Sequence, residues 1–154
     1  MTKTLSGAEV ARQIGEPLPD AVTGSDDTTV FVRSEAILDA ARFLKEYLDF
    51  DYLVSITAID FNDHFDVVYH LRSLKNNYGV VLRTRCDDRQ SPSVPSVVSL
   101  WQGADLQERE VYDLMGISFD GHPNMKRIVL WDGYEGHPLR KDFILDVPGG
   151  GKAT

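Results

Sequence analysis

Residues Glu108 to Val129 read EREVYDLMGISFDGHPNMKRIV, and Gly136 to Asp142 return to a similar phrase, GHPLRKD. In the first half of the stretch Val111, Tyr112, Leu114 and Met115 fall at helical spacing among Glu108, Arg109, Glu110 and Asp113, and Gly116 stops the helix. Charge of this density on a helix that also carries a strong apolar stripe is unusual for a plain surface helix. The second half holds two Gly-His-Pro turns, fifteen residues apart, each followed shortly by arginine and lysine. Imidazoles and cations are thus delivered at fixed turns rather than along a regular element, which suits docking, and everything upstream reads as a scaffold.

The chain has 154 residues, 42% of them hydrophobic and 10% aromatic, which is one domain with enough apolar side chains for a core. Its formal charge of -8 argues against nucleic acid and against an anionic membrane surface as main partners. Up to Gly116 there are nineteen acids and eleven bases, and beyond it five of each, so the negative excess lies on the scaffold. Cys86 is the single cysteine, so no internal disulfide forms and an intracellular address is expected. The first residues lack the apolar centre of a signal peptide, and no apolar run approaches the ~18 residues needed to span a bilayer. Membrane association is expected only through partners.

Ser6 followed by Glu9 is a capping-box pattern that predicts a helix over about residues 7 to 14, with Val10 and Ile14 on one side. Glu16 to Asp27 mixes Pro, Gly, Asp and Ser without periodicity and reads as a mobile connector. Val30 and Val32 suggest a short strand. Ser34 is placed to cap a helix whose apolar face is Ile37, Ala41, Leu44 and Leu48. Tyr52 to Asp60, His64 to Arg72 and Tyr78 to Cys86 are rich in β-branched and aromatic residues at period two, and they predict an antiparallel meander. Its inner face would carry Phe65, Val67, Tyr69 and Leu71 under the helix from Glu35 to Leu48. Asp87 to Pro95 reads as a loop, Ser96 to Trp101 and Ala104 to Met115 as helices, and only Ile128 to Trp131 beyond them has strand character. The expected class is α+β, an antiparallel sheet of three to four strands covered by helices, with an extended C-terminal tail. Its parts are residues 1–27 (helix and connector), 28–116 (the α+β domain) and 117–154, a tail too long for an ordinary connection and too aliphatic for plain disorder.

An enzyme-like reading takes Glu108, Glu110, Asp113, His122 and His137 as metal ligands or acid/base groups. The helical spacing of His-Glu-x-x-His is absent, each histidine sits in its own turn before proline, and Glu108 beside Arg109 favours ion pairing. A structural polar network is the preferred reading, and a cofactor-less enzyme built on Glu108, Asp113, His122 and His137 is the alternative. Cys86 ends a strand pattern shared with Tyr78, Val80 and Leu82 and reads as a small buried hydrophobe. The closing GGGKAT lacks both the first glycine and the Ser/Thr of a phosphate loop, and no G-x-G-x-x-G follows a strand. A single thiolate does not hold an iron–sulfur cluster.

The phrase ERE-VY-DLM, then six residues to His122, three to Lys126, and Ile128-Val129, resembles the signature of the 30-kilodalton subunit family of respiratory NADH dehydrogenase, complex I. Pro95-Ser96-Val97, Trp101 to Gln107 and GHPLRKDF are similar to the flanks of that signature, so the resemblance runs from about Tyr52 to Phe143. It implies a non-catalytic structural subunit of the hydrophilic arm of a proton-translocating NADH:quinone oxidoreductase. Such a subunit lies beside the quinone-site (49-kilodalton) subunit and near the terminal iron–sulfur subunit, on the cytoplasmic face of the membrane. It implies no cofactor in this chain, with quinone, iron–sulfur clusters and flavin held by partners. Related scaffolds serve ferredoxin- or deazaflavin-linked dehydrogenases and membrane-bound hydrogenases. The residues expected to form the structural and docking network are Glu108, Arg109, Glu110, Tyr112, Asp113, His122, Arg127, Trp131, His137, Arg140, Lys141, Asp142 and Phe143.

Overall fold

A computed structural model describes residues 3–131, 133–143, 145–147 and 151–153. In chain order the strands are β1 (Lys3–Thr4), β2 (Val22–Ser25), β3 (Thr29–Val32), β4 (Tyr52–Asp60), β5 (Phe65–Ser73), β6 (Tyr78–Cys86), β7 (Ser93–Pro95), β8 (Ser118–Asp120), β9 (Leu145–Val147) and β10 (Gly151–Ala153). The helices are α1 (Gly7–Gly15), α2 (Ile37–Tyr47), preceded by a 3-10 turn at Ser34–Ala36, and α3 (Ala104–Met115). The meander β4-β5-β6 is the centre of the sheet, with Tyr69 opposite both Ile56 and Leu82 and Leu71 opposite both Leu53 and Val80.

The α+β class stands, but the sheet is wider than the meander and is mixed. Its order is β2-β3-β6-β5-β4; β3 runs parallel to β6, and the short β1 also pairs with β6. Glu16 to Asp27, read as a mobile connector, contains β2, which forms a hairpin with β3 and shifts register between Val22 and Gly24. That irregularity breaks the alternation by which a strand announces itself. Ser96 to Trp101 is a hydrogen-bonded turn closed by Trp101 N–H on the Val97 carbonyl, not a helix. The Asp87 to Pro95 loop contains β7, whose parallel partner is β8. Ile128 to Leu130 are bends and Trp131 is irregular, so this stretch is not strand.

One core fills the inner face of the sheet: Phe65, Val67, Tyr69 and Leu71 meet Val10 and Ile14 of α1, Ile37, Ala40 and Leu44 of α2, and Val111 and Met115 of α3. Ser6 caps α1, accepting from Glu9 N–H at 3.5 Å. Cys86 is buried, donates to the Ser93 carbonyl at 3.4 Å, and burial pushes its thiol up to about 11, so it behaves as the small hydrophobe expected. Helix α3 lies beside β4, where Gln107 Oε1 accepts from Ile56 N–H at 2.6 Å and blunts the edge of the sheet.

Candidate functional site

Helix α3 is held on its inner side and loaded on its outer side. Inward, Glu108 has no exposure; its Oε1 accepts from Ser96 Oγ at 2.6 Å and its Oε2 from Val97 N–H at 2.8 Å. Burial raises its pKa, and the two neutral donors only partly offset this. Glu108 is therefore a strut between α3 and the turn before it.

The two Gly-His-Pro turns clasp opposite ends of this helix. His122 at the first turn has a fully buried side chain, with Nε2 3.2 Å from the Asp105 carbonyl and 3.0 Å from Asp105 Oδ1. Its Nδ1 accepts from Asn124 N–H at 2.9 Å, which leaves the proton on Nε2. His137 at the second turn donates from Nδ1 to the Asp113 carbonyl at 2.8 Å, and Leu139 N–H donates to the Leu114 carbonyl at 2.9 Å. These donors satisfy carbonyls that the end of α3 leaves without helical partners. Gly116 ends the helix at φ 77°, and a Cβ there would lie 2.8 Å from His137 Cδ2, so conformation and close approach both require glycine. Tyr112 packs beside His137, with ring centroids 5.7 Å apart.

Asp113 is the centre of the outer face and has no exposure. Oδ1 accepts from Arg127 Nη1 at 2.6 Å, and Oδ2 accepts from the N–H groups of Ile128, Val129 and Leu130 at 3.2, 2.8 and 2.8 Å. Burial works against its ionisation, but the Leu130 N–H, the Arg127 guanidinium and the other two amides together hold the pKa below the ordinary value. Arg127 also bonds the Asp113 and Gly136 carbonyls, at 3.1 and 2.8 Å, tying both halves of the tail to one residue. Arg109 donates to the carbonyls of Lys126 and Arg127 at 3.1 and 3.3 Å. Among the described residues its guanidinium meets no carboxylate, so the ion pairing expected beside Glu108 is replaced by backbone capture. Glu110 is exposed.

A second anchor lies at the end of β4. Arg89 reaches Asp60 Oδ1 at 2.6 Å and Asp142 Oδ2 at 3.1 Å, and Lys141 N–H donates to Asp60 Oδ2 at 2.8 Å. Arg140 chelates Asp142 at 2.8 and 2.9 Å, and the guanidinium carbons of Arg89 and Arg140 sit 4.4 and 4.9 Å from the centroid of Phe65. Arg140 and then Arg89 hold the Asp142 carboxyl down at about 2. Burial disfavours the Asp60 anion, yet its bonds to Arg89, Lys141 and Asn62 hold it well below the carboxylate range. Asp60 and Arg89 escaped the sequence reading, because a strand-ending Asp and a loop Arg carry no local signal of a partner far along the chain. Phe143 closes this region, stacking on Tyr134 at 6.4 Å, and Tyr134 meets Trp131 edge-on at 4.9 Å.

The four groups of the enzyme-like alternative do not converge. His122 and His137 bond Asp105 and Asp113, eight residues and hence ~12 Å apart along the helix, Glu108 faces the core, and Asp113 is saturated. Among the described residues no group of three or more His, Cys, Asp or Glu is placed to hold a metal ion. No helix among them is long and apolar enough to cross a membrane. What the outer surface offers is apolar contact: Trp131, Leu139 and Val129 are 68%, 60% and 59% exposed, with Leu106 and Ile128 also exposed. Arg127, His137 and Arg140 turn inward and are used, while Ile128, Val129, Trp131 and Leu139 are left exposed.

A family model described as respiratory-chain NADH dehydrogenase, 30 Kd subunit, matches residues 30–148. The chain is 43% identical over 150 residues to a NADH-quinone oxidoreductase subunit of Roseiflexus sp. (strain RS-1), covering 92% of this chain and 86% of that one. It is 42% identical over 129 residues to the corresponding NADH-quinone oxidoreductase subunit of Moorella thermoacetica, covering 82% and 86%. Among solved structures it is similar, at TM-score 0.73 and 30% identity, to a chain of the membrane-bound sulfane sulfur reductase, an archaeal respiratory membrane complex, covering 89% and 85%.

Proposed function

The chain belongs to the respiratory-chain NADH dehydrogenase 30 Kd subunit family, and is thus a subunit of a multisubunit respiratory complex; from that premise we propose its place and role within the assembly. It serves as a non-catalytic scaffold in the hydrophilic arm of a proton-translocating NADH:quinone oxidoreductase, on the cytoplasmic face of the membrane. The tail face packs beside the quinone-site subunit, near the terminal iron–sulfur subunit. One observation carries this reading: residues 126–131 and 133–143 are fixed to α3 and β4 by polar contacts, while Val129, Trp131 and Leu139 are left in solvent. A pre-formed apolar surface of this kind loses little entropy on association, and an exposed aromatic such as Trp131 is a typical anchor. Flavin, iron–sulfur clusters and quinone belong to the partners in this reading, and the chain supplies shape.

Gentle purification of the native complex, with mass-spectrometric identification of the subunits held by this chain, tests the proposal. The expected result is recovery with the quinone-site subunit and with NADH-driven quinone reduction, and a purified free chain that carries no stoichiometric chromophore or metal. A chromophore or transition metal in the free chain would remove the scaffold reading. The likeness to a chain of a sulfane sulfur reductase favours a second reading, the same scaffold role in a related respiratory complex. Recovery with sulfur-reducing rather than quinone-reducing activity selects it.

A further inference from the structure

The sheet has a second face, and its chemistry is unlike that of the tail. Val68 is buried there by its neighbours yet stands outside the core cluster, while Val54, Ile59 and Phe61 are exposed. Near the paired positions Tyr52, Arg72 and Gly79 this face forms a cavity of about 320 Å³, lined by Thr28, Val54, His70, Arg72, Gly79 and Val81 with Leu71 and Val80 beneath. No carboxylate lines it.

Arg72 is the odd member of the arginines. Nine of the ten in this chain bond a carboxylate or a carbonyl: Arg12, Arg42, Arg83, Arg85 and Arg89 meet acids, Arg33 and Arg109 meet carbonyls, and Arg127 and Arg140 meet both. Arg72 is exposed, and among the described residues its guanidinium has neither hydrogen bond nor ion pair; the same holds for the imidazole of His70 beside it. In a chain with 24 acids against 16 bases, a fork-shaped cation left without a partner, in a groove free of acids, is set for an external anion.

We infer that this groove is a second docking site of the subunit, in which Arg72 takes a carboxylate side chain from an aliphatic segment of another subunit of the assembly. The inference rests on the subunit reading above and adds to it a surface on a different side of the fold. A carboxylate fits better than a lipid phosphate. A guanidinium chelates either group bidentately, but Val54 and Val81 are placed to receive the methylenes that precede a side-chain carboxylate, and a chain of charge -8 is repelled by an anionic leaflet.

The test uses the assembled complex from cells carrying Arg72→Lys, which keeps the charge and introduces a reactive amine. A water-soluble carbodiimide activates a carboxyl as an O-acylisourea; the amine attacks it, an amide forms and the urea leaves. Peptide mapping is expected to join position 72 to an Asp or Glu of a different subunit. A cross-link confined to this chain or to a second copy of it, or none in an intact complex, overturns the inference while leaving the tail reading in place. Recovery of the chain with no other subunit overturns both. In a parallel arm, Arg72→Glu lowers recovery in the complex on the order of tenfold or more while leaving the melting of the free chain unchanged, since the side chain has no partner to lose there. Full recovery of that variant counts equally against the inference.

Discussion

Glu108 and Asp113 stand five residues apart on α3, and neither has any exposed surface, yet their surroundings push their ionisation in opposite directions. On the inner side Glu108 meets a hydroxyl and one amide, too little to offset the loss of water. On the outer side Asp113 meets a guanidinium and three amides, and its charge is held. The inner carboxylate fastens a turn that apolar packing already surrounds. The outer one fastens a segment whose apolar groups face solvent, and it takes the role that packing plays elsewhere. This is how about twenty residues without a core of their own keep one shape.

The largest effect is expected at the outer anchor. Asp113→Ala strands Arg127 and three amides, a loss of ~3–5 kcal/mol for a buried pair with one partner removed. The loss is local, so amide exchange at Ile128, Val129 and Leu130 in the free chain should accelerate roughly a hundredfold or more. Unchanged protection would break the contrast between the two carboxylates.

Acid separates the same two regions. The depressed carboxyls Asp60, Asp113 and Asp142 contribute stability that is complete above their unfolded values near ~4 and is lost as pH falls through their folded ones, about 2 for Asp142. Glu108 has the opposite sign: its raised pKa makes its ionisation a penalty that sets in as pH rises and disappears in acid. Between about pH 4 and pH 2 the tail should therefore loosen before the core. The two tryptophans report this separately, since Trp101 is buried and Trp131 is exposed. Fluorescence of Trp101→Phe and Trp131→Phe should give two transitions, and coincident ones would show that tail and core behave as a single unit.

Smaller effects sharpen the comparison. Arg109→Ala removes two bonds to carbonyls that water is able to reach, so a loss of about 1–2 kcal/mol is expected in denaturant unfolding. A loss above about 3 would reveal an acid partner such as the sequence suggested. Glu108→Gln keeps an acceptor for Val97 N–H and removes the buried charge, so it should alter stability at neutral pH by less than about 1 kcal/mol. A large loss would mean that the inner carboxylate is also needed as an ion.

The meander, α3 and its stop at Gly116 were legible because each repeats a local period or ends on a residue with one conformational use. What escaped is held by non-local polar contacts. β2 has four residues and a register shift, and β7 and β8 have three residues each, so none of them offers a window long enough for alternation. The Gly-His-Pro turns were visible as a pair, but their roles at opposite ends of one helix were not, since the spacing does not say which carbonyl each imidazole meets. The tail read as coreless from residue 117, yet Ile117 and Phe119 lie in the domain's own core and Met125 packs against it. Beyond them the order of the tail comes from Asp113, Asp60 and Arg89, which hydrophobic pattern does not report.

The central claim is that the outward apolar groups of the anchored tail form the interface with a partner subunit, and Trp131→Asp tests it most directly. The side chain is exposed, so the free chain should melt as the wild type does. In cells that rely on the variant, the amount of this subunit recovered in the intact membrane complex should fall on the order of tenfold or more, with quinone reductase activity falling in proportion. Wild-type recovery and activity, from a variant that carries a charge at the centre of the proposed contact, would contradict the account.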